Sequence, residues 1–195
     1  MKRREFITLI GGAAAASPVA AWAQQTERLR RVGVLSPYSE SDASGLRRHA
    51  AFQKRLDELG WKAGRNIQID YRWSAGGADR LRSFAKELVE LKPDVILAET
   101  TPAAQAVLAE TRTIPIVFVV VSDPVGSGFV ASLNRPGGNV TGFMNMEPTM
   151  SGKWLELLKE IAPRLTRAAL LFNPAVAPYT KPYWTLSKPP LRCSV

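Results

Sequence analysis

The chain of 195 residues has one cysteine, Cys193, and one histidine, His49. A lone cysteine closes no internal disulfide, so stability must come from packing. Without a His or Cys cluster there is no recognisable metal-ligand set, and no cofactor is signalled. His49 sits between Arg48 and Ala50 in a predicted helix, away from every predicted strand end. It therefore reads as a surface residue rather than a general base. Ser36 and Ser122 then lack a histidine partner for a Ser-His-Asp nucleophile. No G-x-G-x-x-G follows the first predicted strand, and Gly152-Lys153 lacks the earlier glycine of a Walker loop, which disfavours dinucleotide and nucleotide sites.

A long apolar run is also missing. About 18 residues separate Glu5 from Gln24, many of them Ala or Gly, against the roughly 20 strongly apolar residues of a membrane span. The layout of this amino-terminal stretch is instead basic (Lys2, Arg3, Arg4), then apolar to Ala16, then Ser17-Pro18 and Ala21-Trp22-Ala23. That is the layout of a cleavable export signal over 1–23, and Lys-Arg-Arg-Glu-Phe-Ile resembles the twin-arginine motif. The expected location is the periplasm, with membrane contact only through an uncleaved signal or a membrane partner.

The charged and apolar residues that are present describe a globular chain. It is 46% hydrophobic and carries a formal net charge of +9. Its basic residues are scattered singly or in pairs and interleaved with acids, as on solvated helix faces. No basic-aromatic stacking surface is apparent, so a nucleic-acid partner is not expected.

Hydrophobic patterning alternates between two periods. Arg30 to Pro37, Asn66 to Trp73, Asp94 to Ala98, Ile114 to Val121 and Asn139 to Asn145 read as strands. Ser44 to Leu59 reads as an amphipathic helix with Leu46, Ala50, Phe52, Leu56 and Leu59 inward, Asp79 to Leu91 and Pro102 to Thr111 as helices, and Gly126 to Leu133 as a short one. Near-continuous apolar strands separated by helices predict an α/β, doubly wound parallel sheet.

Ligands of such sheets sit beyond the carboxyl ends of the strands. There the sequence places Ser36, Tyr38, Thr100, Thr101, Ser122 and Asp123, which suit hydrogen bonding of a small polar solute. Asp123 can equally cap a turn. Gly126-Ser127-Gly128 could hold an anion, but close packing is the commoner use of such glycines.

The blocks RRVGVLSP, GWKAGRNIQIDYRW, PDVILAETTPAAQAV, TIPIVFVVVSDPVGSGFVASLNRPGGNVTGF and GKWLELLKEIAPRLTRAALLFNP resemble successive blocks of the substrate-binding proteins of ABC transporters, of the tryptophan/aromatic type. The resemblance implies the type I periplasmic-binding-protein architecture, two α/β lobes closing on a ligand. It places the first lobe at 27–146, the start of an incomplete second lobe at 147–174 (a helix stripe of Trp154, Leu155, Leu157, Leu158 and Ile161, then a strand over Ala168 to Phe172), and an irregular Pro-rich tail at 175–195. The tail departs from the family pattern, since Pro178, Pro182, Pro189 and Pro190 forbid a long helix, and a frameshift or premature stop is one explanation.

The function implied is solute capture, of an amino acid or similar molecule, for an ABC transporter permease, with the six loop residues as first-lobe contacts and no enzymatic role. Capture would be impaired by truncation. An exported α/β hydrolase or reductase and a nonfunctional truncated product are the alternatives.

Overall fold

The computed structural model describes residues 29–147, 149–169 and 171; the expected export signal and Pro-rich tail lie outside the described residues. Five strands, β1 (Arg30–Ser36), β2 (Ile67–Trp73), β3 (Val95–Glu99), β4 (Ile116–Ser122) and β5 (Val140–Met146), form one sheet in the order β2-β1-β3-β4-β5. Every pairing is parallel. The helices are α1 (Ala43–Glu58), α2 (Ala78–Glu90), α3 (Thr101–Glu110) and α4 (Met150–Ile161).

Alternation along the strands divides the core into two layers. Val32, Val34 and Ile67 pack with Ile69, Val95 and Leu97 beneath Phe52 and Leu56 of α1. Leu35, Ile96, Ala98, Ile116, Phe118 and Val121 turn to the other face and meet Leu81, Ala85 and Leu88 of α2 and Ala103, Ala104 and Val107 of α3. A fully buried side chain such as Leu88 contributes about 1.5–3 kcal/mol over its exposed state. The sheet is thus covered on both faces, as the apolar strands predict.

Two local expectations are corrected. The buried stripe of α1 is not the predicted one: Gly45 and His49 are buried, Phe52 and Leu56 half-buried, and Leu46 and Leu59 exposed. The spacing of 45, 49, 52 and 56 is helical, but its second member is polar. The helix expected over Gly126 to Leu133 is a series of turns. Gly128 adopts φ +71°, a left-handed conformation that stops helical propagation after one turn.

The connection from β4 to β5 therefore crosses without a helix. Beyond it, α4 exposes much of its predicted apolar stripe, with Ile161 at 82% and Leu157 at 53%. Of the strand expected over Ala168 to Phe172, the described residues Ala168, Ala169 and Leu171 carry no strand conformation; the others lie outside the described residues.

Candidate functional site

The chain runs from β1 outward to β2 and then returns past β1 to β3. The point of reversal lies between β1 and β3, the place at whose carboxyl edge open α/β sheets bind ligands in a crevice. Ser36 ends β1 and Glu99 ends β3. Both share the face of the sheet that α1 covers.

The rim is laced together by backbone and hydroxyl groups. Ser74, Ala75 and Gly76 donate their amides to the carbonyls of Ser36, Tyr38 and Pro37, joining the loop after β2 to the loop after β1. Thr100 N donates to Val119 O at 2.9 Å, and Ser122 N donates to Thr101 Oγ1 at 3.2 Å. Ser122 Oγ in turn donates to Asn145 Oδ1 of β5. The ends of β3, β4 and β5 are thereby held as one edge.

The same edge holds unusual backbone. Ala75, Thr100, Val120 and Asp123 all adopt positive φ, from +46° to +80°. Such conformations cost of order 1–3 kcal/mol for residues other than glycine and gather at functional sites. At Val120 the strain coincides with a register shift between β4 and β5, a bulge that re-aims the end of β4.

The six residues singled out from the sequence fall on this rim in different states. Ser36 is fully buried, and its Oγ accepts from Tyr38 N at 3.4 Å. The half-buried Tyr38 ring lies 4.3 Å from the Arg48 guanidinium carbon. Thr100 Oγ1 is buried, with no partner among the described residues. Thr101 and Ser122 are buried and bonded to each other's loops, as described above. Asp123 Oδ1 accepts from Gly126 N at 2.9 Å. That bond makes the aspartate a turn cap and occupies the glycine amide that an anion would need. Helix α3 begins at this rim with Pro102 in its first turn and no side chain capping it.

The reading of His49 as a surface residue is corrected here. His49 is buried, and its Nε2 lies 2.8 Å from Oε1 of Glu99, also buried. A carboxylate only accepts, so Nε2 carries the proton. The imidazole sits 4.5 Å from the Trp73 ring and 5.0 Å from the Tyr71 ring, and these two stack at 5.8 Å. Burial pushes the Tyr71 phenol above its usual pKa, opposed by a hydrogen bond from Gln53 and aided by the charge of Glu99. Glu99 Oε2, His49 Nδ1 and the hydroxyl of the fully buried Ser74 have no partner among the described residues.

Two cues in the sequence pointed at this cluster. Tyr71 and Trp73 continue the inward alternation of Ile67 and Ile69, and His49 lies three and seven residues before Phe52 and Leu56. A further groove, lined by Leu108, Arg112, Phe129, Pro136 and Asn139, lies at the opposite, amino end of β5 and shares no residue with the rim. No group of three or more potential metal ligands occurs among the described residues.

Comparison with known proteins gives this architecture a context. Residues 32–182 match the family described as ABC transporter substrate binding protein. A tyrosine-binding protein of Clostridioides difficile is 38% identical over 125 residues, 63% of this chain and 35% of that protein. Among solved structures, a conserved domain protein from Vibrio cholerae is 34% identical with a TM-score of 0.70, and a Streptococcus pneumoniae ABC domain in complex with L-Trp is 26% identical with a TM-score of 0.68. Each match covers 82% of this chain and 53% of the other, so the chain spans about half the length of these structures and about a third of the curated relative. The parallel five-stranded lobe, its strand-end crevice and the matched span together establish that the chain belongs to the ABC transporter substrate binding protein family.

Proposed function

We propose that this chain captures a small amino acid, aromatic ones foremost, for an ABC importer, and that the crevice at the carboxyl edge is the first-lobe half of its binding site. The observation that carries the reading is the convergence, at the switch between β1 and β3, of hydroxyls, strained backbone and the uncapped amide end of α3. A helix amide end favours a carboxylate, and Ser36, Tyr38, Thr100, Thr101, Ser122 and Asp123 supply or position hydrogen-bonding groups around it. The relatives whose names specify tyrosine and L-Trp point to the same ligand class.

On this reading the protein works outside the cytoplasm, delivered by its amino-terminal signal, and its partner is the permease. The second wall of the cleft is the part that α4 begins.

The test is thermal unfolding of the purified chain against L-tryptophan, L-tyrosine, other amino acids, aromatic carboxylates and sugars. A ligand that binds only the folded state stabilises it by about 2.7 kcal/mol at 100 times its Kd. The expected result is a concentration-dependent rise in Tm with amino acids. No rise with any amino acid at millimolar concentration refutes the proposal.

A further inference from the structure

We propose that Glu99 is the receptor for the protonated nitrogen of the solute, held in place by His49, so that the crevice selects ligands carrying an ammonium group. The inference rests on the amino-acid reading above and adds to it a residue that composition and spacing did not single out. Its starting point is an incomplete set of hydrogen bonds. Glu99 Oε1 is satisfied by His49 Nε2 at 2.8 Å, whereas Oε2 of the same buried carboxylate accepts from nothing among the described residues. A buried charge with half its acceptor capacity unused is unfavourable unless another cation or donor completes it.

The surroundings restrict what that donor can be. Among the described residues no arginine or lysine forms an ion pair with Glu99. The next residue in sequence, Thr100, held at φ +80°, has a buried hydroxyl oxygen with no partner among the described residues. An ammonium group carries three donors and no acceptor, and so matches a site of unsatisfied oxygens. Position agrees with this chemistry: Glu99 is the last residue of β3, one of the two strands flanking the switch point, and Thr100 directly precedes α3. The carboxylate and the amide end of α3 are therefore adjacent along the chain, as the two charged ends of an α-amino acid are adjacent in the ligand.

His49 is the positioning residue. The Tyr71 and Trp73 rings restrict its imidazole, and its single bond to Oε1 fixes the carboxylate so that Oε2 is the oxygen left for the ligand.

The experiment compares the affinity of the full chain for L-tryptophan with that for indole-3-propionate, which has the same ring and carboxylate but no amine, by calorimetric titration. A hydrogen-bonded charge pair of this kind is worth about 10- to 100-fold in affinity, and that preference for the amino acid is expected in the wild-type chain. Glu99→Gln keeps the size of the side chain and one acceptor; the preference is expected to fall to within about threefold. His49→Leu is expected to move the ratio in the same direction, and His49→Gln, whose amide still donates to Oε1, to keep it.

Equal affinities in the wild-type chain, or an undiminished preference in Glu99→Gln, overturn the role of Glu99 while leaving the crevice itself standing. An unchanged ratio in His49→Leu removes the positioning role. Failure of the wild-type chain to bind either compound overturns the crevice reading and this inference with it. The wild-type comparison requires no substitution, so it decides the point even where a variant folds poorly.

Discussion

Replacing His49 by leucine probes the buried pair on which the rim is built. Both side chains are about 5% exposed, so the leucine variant leaves the Glu99 carboxylate out of water with neither oxygen bonded. Removing the hydrogen-bonding partner of a buried carboxylate costs about 3–5 kcal/mol, a large part of the roughly 5–15 kcal/mol that holds a domain folded. Lost contact with Tyr71 and Trp73 adds to the single-variant figure, at about 0.5–1.5 kcal/mol per ring pair. A double-mutant cycle with Glu99→Leu cancels that contribution, because both His49→Leu variants lack the imidazole. The double variant, with two apolar groups meeting where the pair stood, is expected to be more stable than His49→Leu alone.

The assay is urea unfolding followed by circular dichroism. With a slope of about 2 kcal/mol per molar urea, a loss of that size lowers the midpoint of His49→Leu by about 2 M. A loss below about 1 kcal/mol in His49→Leu, or additive losses in the double variant, would refute the reasoning that His49 compensates a buried charge.

Other perturbations follow from the same structure. Gly142→Ala would set a Cβ 2.6 Å from Phe118 Cδ2 and against the Phe118 carbonyl oxygen; it should destabilise the β4–β5 edge by about 1–3 kcal/mol, and Phe118→Leu should not rescue it, since the backbone oxygen remains. Asp70 is held below the usual carboxylate range first by its hydrogen bond from Arg31, with burial opposing. Because its folded pKa is depressed, its contribution is present above the unfolded value of about 3.9 and lost as the pH falls through the lower folded value; Asp70→Asn should flatten stability measured between pH 5 and pH 2. Tyr71, raised chiefly by burial, contributes stability that is present below about pH 10 and lost as the pH climbs through the folded value, so Tyr71→Phe should be less sensitive to alkaline unfolding than the parent. Asp123→Ala removes the bond to Gly126 N and should cost about 1 kcal/mol in thermal unfolding, whereas Asp123→Asn should retain most of it.

Much of the scaffold was legible because it is dictated locally. Runs such as Val32 to Leu35 and Ile116 to Val121 are too continuously apolar to face water on either side, so they had to form strands buried by helices on both faces. Breaker residues set the limits: Asp42 caps α1 through Gly45 N, Gly60 turns the chain at φ +88°, and Pro102 sits where an absent amide is tolerated. Local composition misled at Gly126 to Leu133, read as a short helix, where Gly128 in the left-handed region stops one. It misled again in α1, whose leucines 46 and 59 face solvent.

The site divides along the same line. That Ser36 and Ser122 stand at strand ends and Thr100 just past one followed from the sequence alone, since strand ends are set by where apolar residues stop. The sequence by itself determined a parallel α/β sheet, a family resemblance and the positions of the strand-end loops at which the site is proposed. Only tertiary structure decided that His49 is buried against Glu99, 50 residues away, beneath the rings of Tyr71 and Trp73. The physical reason is that a histidine in an amphipathic helix is acceptable to water and to a carboxylate alike. Which it meets is settled by how α1 docks across three strands, a relation between segments that no single segment contains.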